Sequence, residues 1–248
     1  MLLTQLLIEK LQKECIIERN LEMMQLINGD CLEVMQEMPD NSVDYVLTSP
    51  PYNSGKTRKN KSNLKGKYEY FSDDNKNYYD WCIKIINELL RITNKYIFWN
   101  IQANYYNKKD VYKLIGFYAD KIEQNIIWNK PNGTPSSYQH RLSNVYEYIL
   151  VLSNKKSVVC NPHHLTNVIT LPIQSKKNKI HNAVMPQELS DFIIKNFTKE
   201  NEIILDPFMG IGTTGISCVS MNRDFIGIEL IKEYYDISGH RIQEASKS

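Results

Sequence analysis

The sequence predicts an α/β fold with a mostly parallel sheet covered by helices on both faces, a doubly wound arrangement. Short apolar runs of strand length alternate with stretches of helical period, the pattern of strands joined by crossover helices. Two of those runs end in loops stiffened by proline or opened by glycine, at the carboxyl ends where open α/β sheets hold their ligands. The length of 248 residues suits one large α/β domain, and no internal repeat interrupts it.

The opening string Met1-Leu2-Leu3-Thr4-Gln5-Leu6-Leu7-Ile8 is apolar but is followed at once by charges. It lacks a basic start and a small-residue cleavage site, so residues 2–19 read as an amphipathic helix. Residues 1–24 then precede a domain over 25–248. Gln25-Leu26-Ile27 is a first short run, turning at Asn28-Gly29-Asp30-Cys31. A helix is expected over 32–38 and a buried strand at Val43-Asp44-Tyr45-Val46-Leu47. Trp81, Ile85, Ile86, Leu89 and Leu90 share one face of a helix over 80–92. A strand follows over 95–101 and a short helix over 110–115. Strands at 121–128 and 145–152 flank a loop rich in Pro, Gly and Ser, and Tyr146 is expected in the core. Pro186 stands just ahead of a helix over 187–197. The last alternation is strand 203–205, helix 216–221 and strand 224–229.

Thr48-Ser49-Pro50-Pro51-Tyr52-Asn53 directly follows the second strand. Its prolines lack backbone donors and fix two φ angles, leaving Ser49 and the Pro50 carbonyl as acceptors and Tyr52 as a flat face. That set suits holding a planar base while its exocyclic amine is attacked. Far along the chain, Asp206-Pro207-Phe208-Met209-Gly210-Ile211-Gly212-Thr213-Thr214-Gly215 follows another strand and leads into a helix. Gly210 and Gly212 allow close approach of backbone to a ligand, and the helix start offers unpaired N–H groups to an anion. Glu229, at the tip of the next strand, is placed for ribose hydroxyls. Gly210, Gly212 and Gly215 also fit a dinucleotide fingerprint, but little sequence follows Glu229 for the remaining strands of such a domain. A phosphate-binding P-loop is excluded because no Gly-Lys-Ser/Thr is present here. A methionine carboxylate held at Thr213 and the helix N–H groups, with adenosine beside Glu229, fits better.

Together these strings resemble the exocyclic-amino DNA methyltransferases that use S-adenosylmethionine. The proline loop comes first and the glycine loop last, which is similar to the β group, whose Rossmann-like sheet is circularly permuted. Ile127-Trp128-Asn129-Lys130-Pro131 resembles the family's W-x-K-P strand end, and Asn144-Val145-Tyr146-Glu147-Tyr148-Ile149-Leu150 its N-x-H-E-Y-I segment with Tyr146 in place of His. His181-Asn182-Ala183-Val184-Met185-Pro186 is similar to the helix start ahead of the cofactor strand. The resemblance runs from Gln25 to Tyr235.

The resemblance implies catalysis by Ser49, Pro50, Pro51 and Tyr52, and a cofactor site at Asp30, Asp206, Phe208, Gly210, Gly212, Thr213 and Glu229. Asp30 is expected to take the adenine amine, with capping of the helix at Cys31 as its other reading. Asp206 and Phe208 are expected to shape the pocket; a loop-start acceptor and a core ring are the other readings. Serine before Pro-Pro favours N4 of cytosine over N6 of adenine. Related loops that methylate RNA or protein amides mostly show the opposite loop order, and the intact site argues against a DNA-binding module without turnover.

Net charge is only +2, yet Asn53 to Lys67 carries six basic residues and no acid. Within this basic loop, 53–77, Lys56, Arg58, Lys59 and Lys61 read as DNA phosphate contacts or as a solvated face. Residues 153–180 are the candidate target-recognition insert. Cys15, Cys31, Cys82, Cys160 and Cys218 form no C-x-x-C pair, which suits a reducing cytosol. Cys160-Asn161-Pro162-His163-His164 lacks a second ligand pair, so no metal is expected. No run has the length of a membrane span. The implied partners are double-stranded DNA and a restriction endonuclease counterpart, in a prokaryotic or phage-encoded cytoplasmic setting. Monomer and homodimer both stay open.

Overall fold

A computed structural model describes residues 24–53, 76–133, 142–155, 165–173 and 185–247. The predicted helix over 2–19, the basic residues Lys56, Arg58, Lys59 and Lys61, the Cys160–His164 string and His181 lie outside the described residues.

Chain order is β1 (Met24–Asn28), α1 (Cys31–Glu37), β2 (Val43–Thr48), α2 (Tyr78–Ile92), β3 (Thr93–Ile101), α3 (Lys108–Phe117), β4 (Ile122–Asn129), β5 (Tyr146–Leu152), β6 (Val168–Thr170), α4 (Gln187–Phe197), β7 (Ile203–Asp206), α5 (Thr213–Ser220), β8 (Asp224–Glu229) and α6 (Lys232–Ala245). The eight strands form one sheet in the order β1-β8-β7-β2-β3-β5-β4-β6. All described neighbours pair in parallel except β5, which runs antiparallel to both β3 and β4. The predicted mostly parallel sheet is therefore present.

The central strands read as near-continuous apolar runs because helices cover both faces. Successive side chains of a strand point to opposite sides. Val46 accordingly joins the layer of α1, α2 and α3 with Ile85, Leu89, Trp99 and Leu114. Its neighbour Leu47 joins the layer of α4, α5 and α6 with Phe98, Ile193, Cys218 and Ile242. Cys31, Cys82 and Cys218 are buried free thiols.

Two elements escape the sequence pattern. β6 is a three-residue edge strand inside the candidate recognition insert, paired with β4. α6 closes over β1 and α5 at the chain's end. The helix predicted at 216–221 starts earlier, at Thr213, because Gly212 at φ +83° caps it in the left-handed region. Tyr146, expected in the core, is 38% exposed, with its hydroxyl 3.2 Å from that of Tyr148. It opens β5 at the rim, and the inward position belongs to its neighbour Glu147.

Candidate active site

The carboxyl ends of β1, β8, β7, β2 and β3 line one rim, and the reversed β5 brings its first residues to the same rim. β2 and β7 are neighbours there. Thr48 Oγ1, ending β2, donates to Asp206 Oδ1, ending β7, at 2.8 Å across 158 residues of sequence. Asp206 Oδ1 also accepts from the Phe208 amide at 3.1 Å, and Oδ2 from Thr214 Oγ1 at 2.7 Å. Burial pushes the Asp206 carboxyl up to about 6, against the opposing pull of these three bonds. One carboxylate thus ties the root of the proline loop to the root of the glycine loop.

The proline loop is anchored by its carbonyls. Tyr78 Oη donates to the Pro51 carbonyl at 2.8 Å. Asn104 and Asn107 donate side-chain amides to the Tyr52 carbonyl at 3.1 and 2.6 Å. The chain then turns at Asn53, whose φ of +48° lies in the left-handed region that asparagine tolerates. The Tyr52 hydroxyl enters a polar cluster. It donates to Glu147 Oε2 at 2.8 Å, receives Asn100 Nδ2 at 2.8 Å, and lies 2.8 Å from Ser49 Oγ. Asn100 Nδ2 also reaches Glu147 Oε2 at 3.0 Å, and Lys130 Nζ reaches Glu147 Oε1 at 2.8 Å. Burial first, and then the Glu147 carboxylate, hold the Tyr52 phenol well above its ordinary value, so it stays protonated.

The glycine loop turns at Gly210, with φ +55°, and at Gly212. A Cβ on Gly212 would stand 3.0 Å from Ile242 Cδ1 and Ser238 Cβ, and one on Gly215 2.5 Å from Ile242 Cδ1. These two glycines make room for α6. A Cβ on Gly210 would meet only the Phe208 carbonyl at 3.9 Å and otherwise open space. Glu229 Oε2 accepts from the Gly210 amide at 2.8 Å, and Oε1 from the Ile231 amide at 2.9 Å. Burial raises the Glu229 carboxyl, and those backbone bonds resist the rise. Asp30 caps α1: its Oδ1 accepts from Leu32 and Glu33 at 2.8 and 3.3 Å. Phe208 packs against Trp81 with ring centroids 5.5 Å apart, and Trp81 stacks on Tyr78 at 5.8 Å. This series of rings is a second link between the two loops.

The structure thus gathers Asp30, Ser49, Pro50, Pro51, Tyr52, Asp206, Phe208, Gly210, Gly212, Thr213 and Glu229 on one rim. Thr213 is buried as the first residue of α5. A hollow lined by Asn87, Leu90, Arg91, Phe117 and Tyr118 contains none of them. Sequence reasoning missed Asn100, Glu147 and the anchors Tyr78, Asn104 and Asn107, and gave Lys130 no role. A polar residue at an inward position of an otherwise apolar strand was the available signal: Asn100 ends the run Tyr96-Ile97-Phe98-Trp99, and Glu147 sits among Tyr148, Ile149 and Leu150. Among the described residues, no helix is long and apolar enough to cross a membrane.

Residues 43–239 match the model of the DNA methylase family of N6 and N4 type. The type II methyltransferase M.SmaI of Serratia marcescens is 28% identical over 284 residues, covering 93% of this chain and 94% of its own. M.HinfI of Haemophilus influenzae is 26% identical over 251 residues, covering 88% of this chain and 68% of its own. Among solved structures, the PvuII DNA methyltransferase, described as cytosine-N4-specific, superposes with a TM-score of 0.70 at 18% identity, covering 90% and 91% of the two chains, a likeness of fold. M1.HpyAVI in its SAM complex gives 0.61 at 26% identity over 88% and 99%. The family model spans the proline loop, the glycine loop and strands β2 to β8, and this chain belongs to the N6/N4 DNA methylase family: it is a DNA methyltransferase.

Proposed function

We propose that this chain moves a methyl group from S-adenosylmethionine to the exocyclic amine of a base flipped out of double-stranded DNA, with N4 of cytosine preferred. The observation that carries the reading is the Thr48–Asp206 bond, which joins the roots of the two loops. The residues present fit the cofactor. At Gly210 the missing side chain leaves open space where a Cβ would stand, whereas Gly212 and Gly215 are filled from within the protein. Glu229 is held by two backbone donors and keeps a lone pair on each oxygen for ribose hydroxyls. Asp30 uses Oδ1 for its helix, leaving Oδ2 for the adenine amine. Thr213 and the first-turn amides of α5 suit the carboxylate. Asp206 shapes this pocket as a joint, its oxygens already bonded to Thr48, Phe208 and Thr214.

When bound, S-adenosylmethionine supplies an electrophilic sulfonium methyl and departs as a thioether. A stacked base is out of reach, so the target nucleotide leaves the duplex. The Tyr52 ring stacks on the extruded base, a contact worth roughly 1–3 kcal/mol. Ser49 Oγ and the Pro50 carbonyl accept the two N–H bonds of the amine, which frees the nitrogen lone pair from ring conjugation to form the new N–C bond. The methylated nitrogen then releases one proton to solvent. No covalent enzyme intermediate is needed, and rate enhancement comes from alignment and electrostatics. Lys56, Arg58, Lys59 and Lys61 contact phosphates, and residues 153–180 contribute to target choice. A restriction endonuclease of the same target is the natural counterpart.

Methyl transfer to DNA tests this reading, wild type against Tyr52→Ala. The variant is expected to lose at least 100-fold in turnover with S-adenosylmethionine binding kept; undiminished turnover would remove Tyr52 from the site. Mass spectrometry of the methylated DNA decides the base: N4-methylcytosine is expected, and N6-methyladenine would overturn that preference.

A further inference from the structure

The Ser49–Tyr52–Glu147 cluster has a definite proton order. Glu147 is 7% exposed and its Oε1 pairs with Lys130 Nζ at 2.8 Å, so it stands as a carboxylate and can only accept. Asn100 must therefore turn its amide nitrogen toward Glu147 Oε2, at 3.0 Å, and that same nitrogen donates to Tyr52 Oη at 2.8 Å. The single Tyr52 proton lies on the 2.8 Å line to Glu147, because two bare oxygens would repel there. Tyr52 Oη then has only lone pairs for Ser49, 2.8 Å away, so the Ser49 proton points at Tyr52. Ser49 Oγ, which also accepts from Asn100 Nδ2 at 3.4 Å, is left with only a lone pair to offer elsewhere.

We propose that Glu147, paired with Lys130, is a positioning residue that fixes the direction of the Ser49–Tyr52 hydrogen bond and so makes Ser49 an obligate acceptor for the substrate amine. The inference rests on the proposed role of Ser49. An isolated serine hydroxyl rotates freely and can offer its proton to a ligand; here that choice is removed before substrate arrives, which is preorganisation of the kind that lowers a barrier. A neutral amide at 147 can donate to Tyr52 Oη. Tyr52 then donates to Ser49, and Ser49 turns its own proton toward the amine, where two donors face each other.

A double-mutant cycle tests this. Glu147→Gln and Tyr52→Phe are each expected to lower the methyl-transfer kcat roughly 10- to 100-fold, with the Kd for S-adenosylmethionine and for DNA held within about twofold. The combined variant is expected to be no slower than the worse single one, because Glu147 acts through the Tyr52 hydroxyl. Losses that multiply would show that Glu147 acts independently and would overturn the proposal. Should Glu147→Gln unfold with Lys130 left unpaired, the pair Lys130→Met with Glu147→Gln removes both buried charges and enters the same cycle. Ser49→Ala separates the two levels. Full turnover in that variant sinks the acceptor role and the inference with it, whereas a large loss there beside multiplying losses at Tyr52 and Glu147 sinks the inference alone.

Discussion

At the scale of single residues, Asp206 couples architecture to pH. Its carboxyl stands at about 6 against an ordinary 3.8, because burial outweighs its three donors. Between those values the folded protein holds a proton that the unfolded chain has released, so stability falls as pH rises from about 4 through about 6, by on the order of 2–3 kcal/mol, and stays lowered above. Asp206→Asn keeps an oxygen for Thr48 and Phe208 and turns an amide toward Thr214. It is expected to remove that slope in urea titrations across this range; parallel curves for the two proteins would clear Asp206 of it. Gly210 and Gly215 divide by what surrounds them. Gly215→Ala sets a methyl 2.5 Å from Ile242 Cδ1 and 2.7 Å from the Phe225 ring, and is expected to cost about 1–3 kcal/mol. Gly210→Ala bears left-handed strain of about 1–2 kcal/mol but projects into open space. Its main effect is expected in calorimetry, as S-adenosylmethionine affinity weakened tenfold or more, and an unchanged affinity would place the cofactor elsewhere.

At the scale of elements, β4 and β5 share one buried ion pair, between Lys130 just past the end of one strand and Glu147 near the start of the other. Lys130→Met leaves the carboxylate buried without its partner and is expected to lower stability by about 3–5 kcal/mol, with most of that recovered when Glu147→Gln is added. Thermal melts of the single and double variants read this directly, and equal losses in the two would show that the pair is not what holds these strands. The elements themselves were largely legible in sequence. The helix over 187–197 and the strand over 224–229 appear with the bounds predicted for them, because Pro186 and Glu229 mark their ends. α6 was not legible: Gly239, His240 and Arg241 dilute its apolar stripe, and its anchor Ile242 is defined by Gly212 and Gly215, far away in sequence. β6 is three residues long, too short for any period to register. Of the site, both loops were legible because proline and glycine carry their geometry locally. The Tyr52 cluster was not, because Asn100, Lys130 and Glu147 come together around the Tyr52 hydroxyl only after the sheet has assembled around a reversed strand.

At the scale of the whole molecule, a formal charge of +2 gives little general attraction to DNA, so binding rests on where the cations stand. Exchanging Lys56, Arg58, Lys59 and Lys61 for glutamine is expected to flatten the dependence of log affinity on log salt by about one unit for each phosphate no longer neutralised. An unaltered slope would return those residues to a solvated face. Because β5 runs against its neighbours, the connection from Asn129 to Tyr146 leaves from and returns to the rim that carries Ser49 and Gly210, not the opposite end of the sheet. Lys130 and Glu147 are the two feet of that connection and are pinned to each other by their buried ion pair, so a change in its length is expected to leave the polar cluster around the Tyr52 hydroxyl in place.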